Sequence, residues 1–529
     1  MIVEHQGEAI GFVDEVAATF GRPVEQITTH GSVIFLAGDR AFKLKRAVLF
    51  PYLDFSTPEK RLASCESELA LNRRTAPEHY LAVRRLTRDK AGRLGLDGEG
   101  DLVDAVVEMR RFPADALFDA MALRGELTPD LMDRLARSIA AFHERAEPDL
   151  TRGGAENIAG VIAINDAGLR ESGLVDASEA DRFTQAFRDA LDRQRELLDA
   201  RAREGRIRRC HGDLILRNIF LHEGEPTLFD CIDFNTDLAT IDVLYDLAFL
   251  LMDLAHRELP DHANRVFNRY LDESREDDGA GLVSFFMAIR AAVRAHVGGA
   301  QAADLPPEKA EPVLAEARAY YAMAEDLLKP RPPVLVAIGG LSGTGKSTVA
   351  AHLAGHVGPA PGARILNSDR LRKAAFGVAP SENLPSGAYT PEVSQHVYGQ
   401  IRDEARAMLR AGVSVIADAV FDKPEERIAI EATAAQAGVG FLGIWLDAPY
   451  AVLSARVEAR TESRQRGPAG GAGEENPSDA DLAVLRAQAA RDPGEITWTR
   501  IDADQDAATI RAAVQPSIDK MAMPANRRA

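Results

Sequence analysis

Val334-Leu335-Val336-Ala337-Ile338, followed by Gly340-Leu341-Ser342-Gly343-Thr344-Gly345-Lys346-Ser347, is an unbroken apolar run leading into a glycine-rich turn. The run reads as a strand buried on both faces, as in a parallel sheet. The turn fits the spacing G-x-x-x-x-G-K-[ST]. Beyond it, Val349, Leu353 and His356 recur at helical spacing. A strand, a glycine turn and a helix start together make an anion cradle. Glycines let backbone N–H groups turn inward, and the helix adds the positive end of its dipole. Gly340, Ser342, Gly343, Thr344, Gly345, Lys346, Ser347 and Thr348 are therefore expected to hold the phosphates of ATP. Lys346 would reach the β/γ oxygens, and Ser347 would offer its hydroxyl to Mg2+.

Downstream, Arg364–Asn367 reads as a second strand ending in Ser368-Asp369-Arg370-Leu371-Arg372-Lys373. A carboxylate at a strand's carboxyl end lies beside the cradle in this topology. Asp369 is thus a candidate general base for an acceptor hydroxyl, with Arg370 or Arg372 holding an anionic group. Val413–Ala417 reads as a third strand, ending at Asp418, a candidate magnesium carboxylate, and Gly440–Leu446 as a fourth. Arg456 and Arg460 lie four apart on a predicted helix, ahead of the low-complexity loop Gly467–Gly473. Such arginines can close over transferring phosphates.

Upstream, Lys329-Pro330-Arg331-Pro332-Pro333 stops a helix and marks a boundary. The domain plan is 1–328, a proline-rich linker at 329–333, and 334–529. Within the first part, residues 25–112 read as mostly strands, with Ser32–Ala37 and Arg40–Lys45 paired around Gly38-Asp39. Residues 113–328 read as helix-rich. The expected fold class is an α+β bilobal domain followed by an α/β domain with a parallel sheet.

The first part carries its own chemistry in His211-Gly212-Asp213-Leu214-Ile215-Leu216-Arg217-Asn218, then a hairpin turning at Glu223-Gly224, then Ile232-Asp233-Phe234. Asp213 can accept the proton of an attacking hydroxyl. Asn218 and Asp233 can supply oxygens to a magnesium ion, which keeps waters and phosphate oxygens and needs few protein ligands.

On these residues the first part, about 25–325, resembles the aminoglycoside phosphotransferase-like branch of the protein-kinase-like fold. The resemblance implies that Asp213 is the catalytic base and that Asn218 and Asp233 are metal ligands. His211 opens the loop motif, and Asp246 matches the aspartate that supports that loop. It also implies an ATP-anchoring lysine on a strand, Lys43 with Lys45 as the alternative, and an acidic partner on the next helix, Glu66 or Glu68. Thr29-His30-Gly31-Ser32 stands in place of a glycine-rich phosphate loop. The second part, about Pro333–Ala513, resembles P-loop kinases related to gluconate kinase, polynucleotide kinase and zeta-toxin kinases, carried by Asp369 and Arg460.

The chain has 529 residues, 46% hydrophobic and 27% charged, and a net charge of −18. This composition excludes disordered and fibrous classes. The acidic balance argues against a long nucleic-acid partner. Cys65, Cys210 and Cys231 are too few and too far apart for a zinc or disulfide framework. The start lacks a secretory signal pattern, and the best apolar run, Val243–Leu254, is too short to span a bilayer. A cytoplasmic location without a membrane partner is expected. The function expected is ATP/Mg2+-dependent phosphorylation of small hydroxylated molecules such as sugars, aminosugars or nucleosides. The alternatives are a ligand-sensing first domain that regulates the second, an aminoglycoside-modifying enzyme, and a nucleic-acid end kinase.

Overall fold

The structure is a computed structural model and describes residues 3–50, 53–303, 305–378, 382–465 and 478–522. The predicted loop Gly467–Gly473 lies outside the described residues. The chain forms two compact units. One comprises Met1–Leu127, Arg137–Asn157 and Arg195–Leu250; the other comprises Thr128–Ala136, Ile158–Gln194 and Leu251–Ala529.

The first unit is built on a six-stranded antiparallel sheet. Its order is Glu25–Thr28, Ser32–Ala37, Arg40–Lys45, Asp101–Arg110, Tyr80–Arg88, Leu94–Leu96. Alternation decides which side chains go where. Phe42 and Leu44 face a cluster with Ala9, Val13 and Ala17 of the helix Gly7–Ala18. Lys43 and Lys45 share the opposite face and meet the helix Pro58–Asn72.

That helix starts where its sequence says it should. Thr57 accepts from the backbone N–H of Lys60, and Pro58 takes the first turn. Its buried stripe is polar: Arg61, Ser64, Cys65, Glu68 and Asn72. Each polar member has a partner. Arg61 Nε donates to Asp104 at 2.8 Å, and Asn72 Oδ1 accepts from the Cys231 backbone N–H at 2.9 Å. The helix therefore carries charge inward rather than grease.

Seven residues beyond this helix, His79 is buried among Phe112, Phe220 and His222. Burial, helped by His222 and Arg110, pushes its pKa down to about 4. The unfolded chain takes up this proton near pH 6.5, the folded chain only near 4. Stability is therefore lost as pH falls through that window. Urea unfolding of His79→Gln is expected to show a smaller loss between pH 7 and 4.5, by on the order of 2 kcal/mol.

In the second unit five parallel strands lie in the order Arg364–Asn367, Val415–Asp418, Val334–Gly339, Gly440–Asp447, Thr499–Asp502. Val334, Val336 and Ile338 are fully buried with Ile416 and Ile444. Over them pack Val349 and Leu353 of the helix Lys346–Ala354, and Ile510, Val514 and Ile518 of the helix Ala507–Ala522. The third strand starts at Val415, two residues later than the apolar run suggests.

The outer strand Arg364–Asn367 is covered by the helix Pro260–Ser274 of the same unit. Asn268 Oδ1 accepts the Ile365 backbone N–H at 2.7 Å, and Asn264 Nδ2 donates to the Pro361 and Ala363 carbonyls. Arg364 is buried against Asp272 at 2.7 Å and Asp277 at 3.0 Å. An exposed sheet edge would invite pairing with another chain, and these side chains block it. Among the described residues one helical stretch, Asp277–Ala303, is long and apolar enough to cross a membrane by length and composition, and 67% of its apolar window is buried inside the structure.

Candidate active sites

In the first unit, the loop at His211 is held from below. Asp246 is fully buried, and its two oxygens accept the backbone N–H groups of His211 at 3.0 Å and Gly212 at 2.8 Å. His143 Nε2 lies 3.1 Å from the same carboxylate. Gly212 sits at φ +86, and a Cβ there would come 2.9 Å from Ile232 Cδ1, so the turn requires glycine. His211 Nε2 donates to the Phe229 carbonyl at 2.8 Å, tying the loop to the segment that follows the hairpin. Together these bonds aim Asp213 outward. Asp246→Ala would orphan two buried amides and is expected to cost about 3 kcal/mol in urea unfolding. A loss below 1 kcal/mol would contradict this support role.

Asn218 Nδ2 donates to both the backbone oxygen and Oδ2 of Asp213, each at 2.8 Å. The candidate base and one candidate metal ligand are thus locked together, five residues apart on a single turn. Arg217 lies 3.4 Å from the same Asp213 oxygen.

Asp233 belongs to a second cluster, in which the two strand lysines share one glutamate. Glu68 Oε1 is 2.7 Å from Lys43 Nζ, and Glu68 Oε2 is 2.5 Å from Lys45 Nζ. Lys45 also bonds Asp233 Oδ2 at 2.8 Å, and Ser64 donates to that oxygen at 2.6 Å. Lys43 instead pairs with Asp230. Lys45 thus makes both contacts, to the helix glutamate and to the Ile-Asp-Phe aspartate, while Lys43 makes only the first. Glu66 points to solvent on the exposed face of the helix. For Glu68, burial opposes ionisation, but Lys43 and Lys45 outweigh it and hold the carboxyl below its usual range. Asn218 and Asp233 carry oxygens of the kind a hard divalent cation takes, but Asp233 Oδ2 is engaged by Lys45 and Ser64 and its side chain is only 7% exposed.

In the second unit the glycine turn bends through left-handed backbone. Gly340, Gly343 and Gly345 all have positive φ, at +138, +89 and +83. A Cβ on Gly340 would come 2.5 Å from the Leu446 carbonyl, and one on Gly343 would come 2.9 Å from that of Leu453. Lys346 Nζ bonds the Gly340 and Leu341 carbonyls at 2.9 and 3.0 Å. Ser347 Oγ donates to Asp418 Oδ2 at 2.7 Å, and Asn367 Nδ2 donates to the same oxygen at 2.6 Å. Burial raises the Asp418 pKa against the pull of Lys346. Desolvation lowers that of Lys346, against Asp418 and Asp369. Thr348 is exposed at the start of the helix. This hydroxyl–carboxylate pair beside a lysine fits a magnesium-bound phosphate.

Asp369 follows Asn367, whose Oδ1 caps the helix Ser368–Ala375 by accepting from the N–H groups of Asp369 and Arg370. The charges of Arg460 and Asp422 also act on Lys346, the first lowering and the second raising its pKa. Arg460 Nη2 bonds the Ala480 carbonyl. Arg456 turns elsewhere, to Ala503 and Asp504. Arg370 reaches Asp272 at 3.4 Å. Arg372 is buried over the Tyr389 ring with one nitrogen on the Ala388 carbonyl, while its Nε has no hydrogen-bond partner among the described residues.

Several neighbours of these sites carry no sequence signal of their own. Asp230 ends the hairpin as an ordinary turn acid would. Asp422, buried and 2.7 Å from Arg491, follows the third strand. Gln488 accepts the Ser342 backbone N–H at 2.9 Å from a distant helix. Asn367 does carry a signal, since Asn before Ser-Asp is a good helix cap.

Residues 37–281 match the phosphotransferase enzyme family, and residues 335–492 match the AAA domain family. An uncharacterized protein of Mycobacterium tuberculosis is 33% identical over 483 residues, spanning 90% of this chain and 91% of its own. An adenylyl-sulfate kinase of Myxococcus xanthus is 32% identical over 117 residues, 22% of this chain and 59% of its own. Among solved structures, a choline kinase from Cryptosporidium parvum aligns with 60% of this chain and 96% of its own, at 9% identity and a TM-score of 0.39. A gluconokinase from Sinorhizobium meliloti aligns with 36% and 95%, at 21% identity and a TM-score of 0.25.

Proposed function

The chain belongs to the family of the mycobacterial protein it matches along nine-tenths of its length, and it joins a phosphotransferase-family region to a P-loop kinase region; from that premise we propose that both regions transfer the γ-phosphate of ATP to hydroxyl groups of small molecules. The proline-rich segment 329–333 would divide the two activities. The observations that carry this reading are the Asn218–Asp213 lock and, in the same unit, the lysine–carboxylate cluster. They are matched in the other region by Ser347 and Asp418 at the cradle.

In the first region Asp213 Oδ2, held by Asn218, accepts the acceptor's hydroxyl proton as the oxygen attacks phosphorus in line. Lys43 or Lys45, braced by Glu68, holds the nucleotide's phosphates. Asn218 and Asp233 would hold Mg2+, which supplies charge neutralisation at the phosphates when bound. In the second region Asp369 takes the acceptor proton, while Lys346 and Arg460 oppose the charge that spreads over the transferring group. Ser347 and Asp418 would hold Mg2+ there, and Arg370 or Arg372 would bind an anionic part of the acceptor. Neither region needs a covalent intermediate; positioning and electrostatics supply the rate.

The test is incubation with γ-labelled ATP and a fractionated metabolite pool, using the native chain, Asp213→Asn and Lys346→Ala. Two labelled small-molecule products are expected, each lost in a different variant. Products untouched by Asp213→Asn would remove the first region from catalysis.

A further inference from the structure

The helix Pro260–Ser274 lies in the stretch that matches the phosphotransferase family, whereas Arg364 and Arg370 lie in the stretch that matches the AAA domain family. One carboxylate of that helix serves both arginines. Asp272 Oδ1 is 2.7 Å from Arg364 Nη1, and Asp272 Oδ2 is 3.4 Å from Arg370 Nη1. Asp272 stands in the last turn of its helix, where no basic residue offsets it and an acid opposes the helix dipole. Local preference does not account for it; its two arginine partners do. The same helix is braced earlier along its length, where Arg265 and Arg269 pair with Asp133 at 2.8 and 3.3 Å. Asp272 is thus presented from a fixed element, not from a loop.

We propose that Asp272 is a positioning residue for the second region's acceptor: it aims the guanidinium of Arg370, so that a stretch of the first family completes the acceptor side of the second site. This rests on reading Asp369 and its neighbours as the acceptor side of a kinase site. Arg370 follows Asp369 directly, and its side chain is 22% exposed. Arg372 is 6% exposed, with Nη1 spent on the Ala388 carbonyl and Ser394 Oγ. Arg370 is therefore the arginine that an anionic acceptor group can reach. A guanidinium is a rigid planar fork, so a carboxylate holding one nitrogen sets the direction of the rest. The charge of Asp272 is already met by buried Arg364, which Asp277 also holds at 3.0 Å, so Asp272 orients Arg370 more than it repels an anion. Asp272 touches no reacting atom and acts only through Arg370.

The test uses the full chain with Asp213→Asn as background, so that label transfer from γ-labelled ATP reports the second region. The acceptor probe is the chromatographic fraction of a metabolite pool whose product disappears on Lys346→Ala, serially diluted. Asp272→Asn is expected to raise the half-saturating amount of that fraction about fivefold, leaving the plateau rate and the ATP half-saturation unchanged. Asp277→Asn also takes a charge from Arg364 and is expected to leave all three quantities unchanged. Arg370→Gln should raise the half-saturating amount at least as far, and Asp272→Asn on top of it should add nothing. An equal shift in Asp277→Asn, or none in Asp272→Asn, would overturn the proposal and leave Asp272 as a brace for Arg364. An unchanged half-saturation in Arg370→Gln would also overturn it and give the anion to Arg372. If no product depends on Lys346, the kinase reading falls and takes the proposal with it.

Discussion

Asp213→Asn is expected to lower phosphotransfer by the first region about a thousandfold while changing nucleotide affinity less than about threefold. The substitution keeps size and shape, and Asn218 and Arg217 still find an oxygen at 2.8 and 3.4 Å in the parent geometry. What disappears is the carboxylate that takes the proton. The loop itself hangs from Asp246, not from Asp213, so folding is spared. Label transfer in a Lys346→Ala chain measures the change without contribution from the second region. A loss below about tenfold would mean that Asp213 orients the acceptor without accepting its proton.

Lys346→Ala carries the second large effect. The second region's transfer is expected to fall by at least about a thousandfold, with weaker ATP binding as well. The lysine's ammonium is folded back on the carbonyls of Gly340 and Leu341, in the field of Asp418, Asp369 and Arg460. It is thus stored at the mouth of the cradle, where a phosphate would compete for it. Alanine removes that charge but leaves the glycine backbone that shapes the loop. Transfer by the first region should be unaffected, and single-turnover assays of the two products separate the effects.

The parts of this account that were legible in the sequence are those where backbone chemistry dictates residue type. Gly340, Gly343 and Gly345 are needed for positive φ, and Gly212 for its close approach to Ile232, so both motifs stand out at fixed spacing. The hairpin Ser32–Ala37 to Arg40–Lys45 was equally plain from alternation across a Gly-Asp turn. The choice between Glu66 and Glu68 was not, because it depends on how the helix Pro58–Asn72 is rotated. Its buried stripe is polar and gives no hydrophobic phase to read. Asp230 was hidden because its role is a tertiary bond to Lys43, 187 residues away.

Two further elements went unread for opposite reasons. The helix Gly7–Ala18 buries Ala9, Val13 and Ala17, residues too small to mark a strong apolar face. The strand Thr499–Asp502 lies at a sheet edge and is largely exposed, so no apolar run announces it. The cover over the strand Arg364–Asn367 comes from Asn264 and Asn268, about a hundred positions upstream, and no local pattern foretells it. In each case long-range packing, not local preference, decided the outcome.

The central claim is that one chain holds two independent nucleotide sites. Equilibrium dialysis of labelled ATP in excess MgCl2 tests it most directly. The account predicts two nucleotides bound per native chain, one after Lys346→Ala, and none when Lys43 and Lys45 are also replaced by methionine. A single nucleotide per native chain, lost entirely in Lys346→Ala, would contradict it.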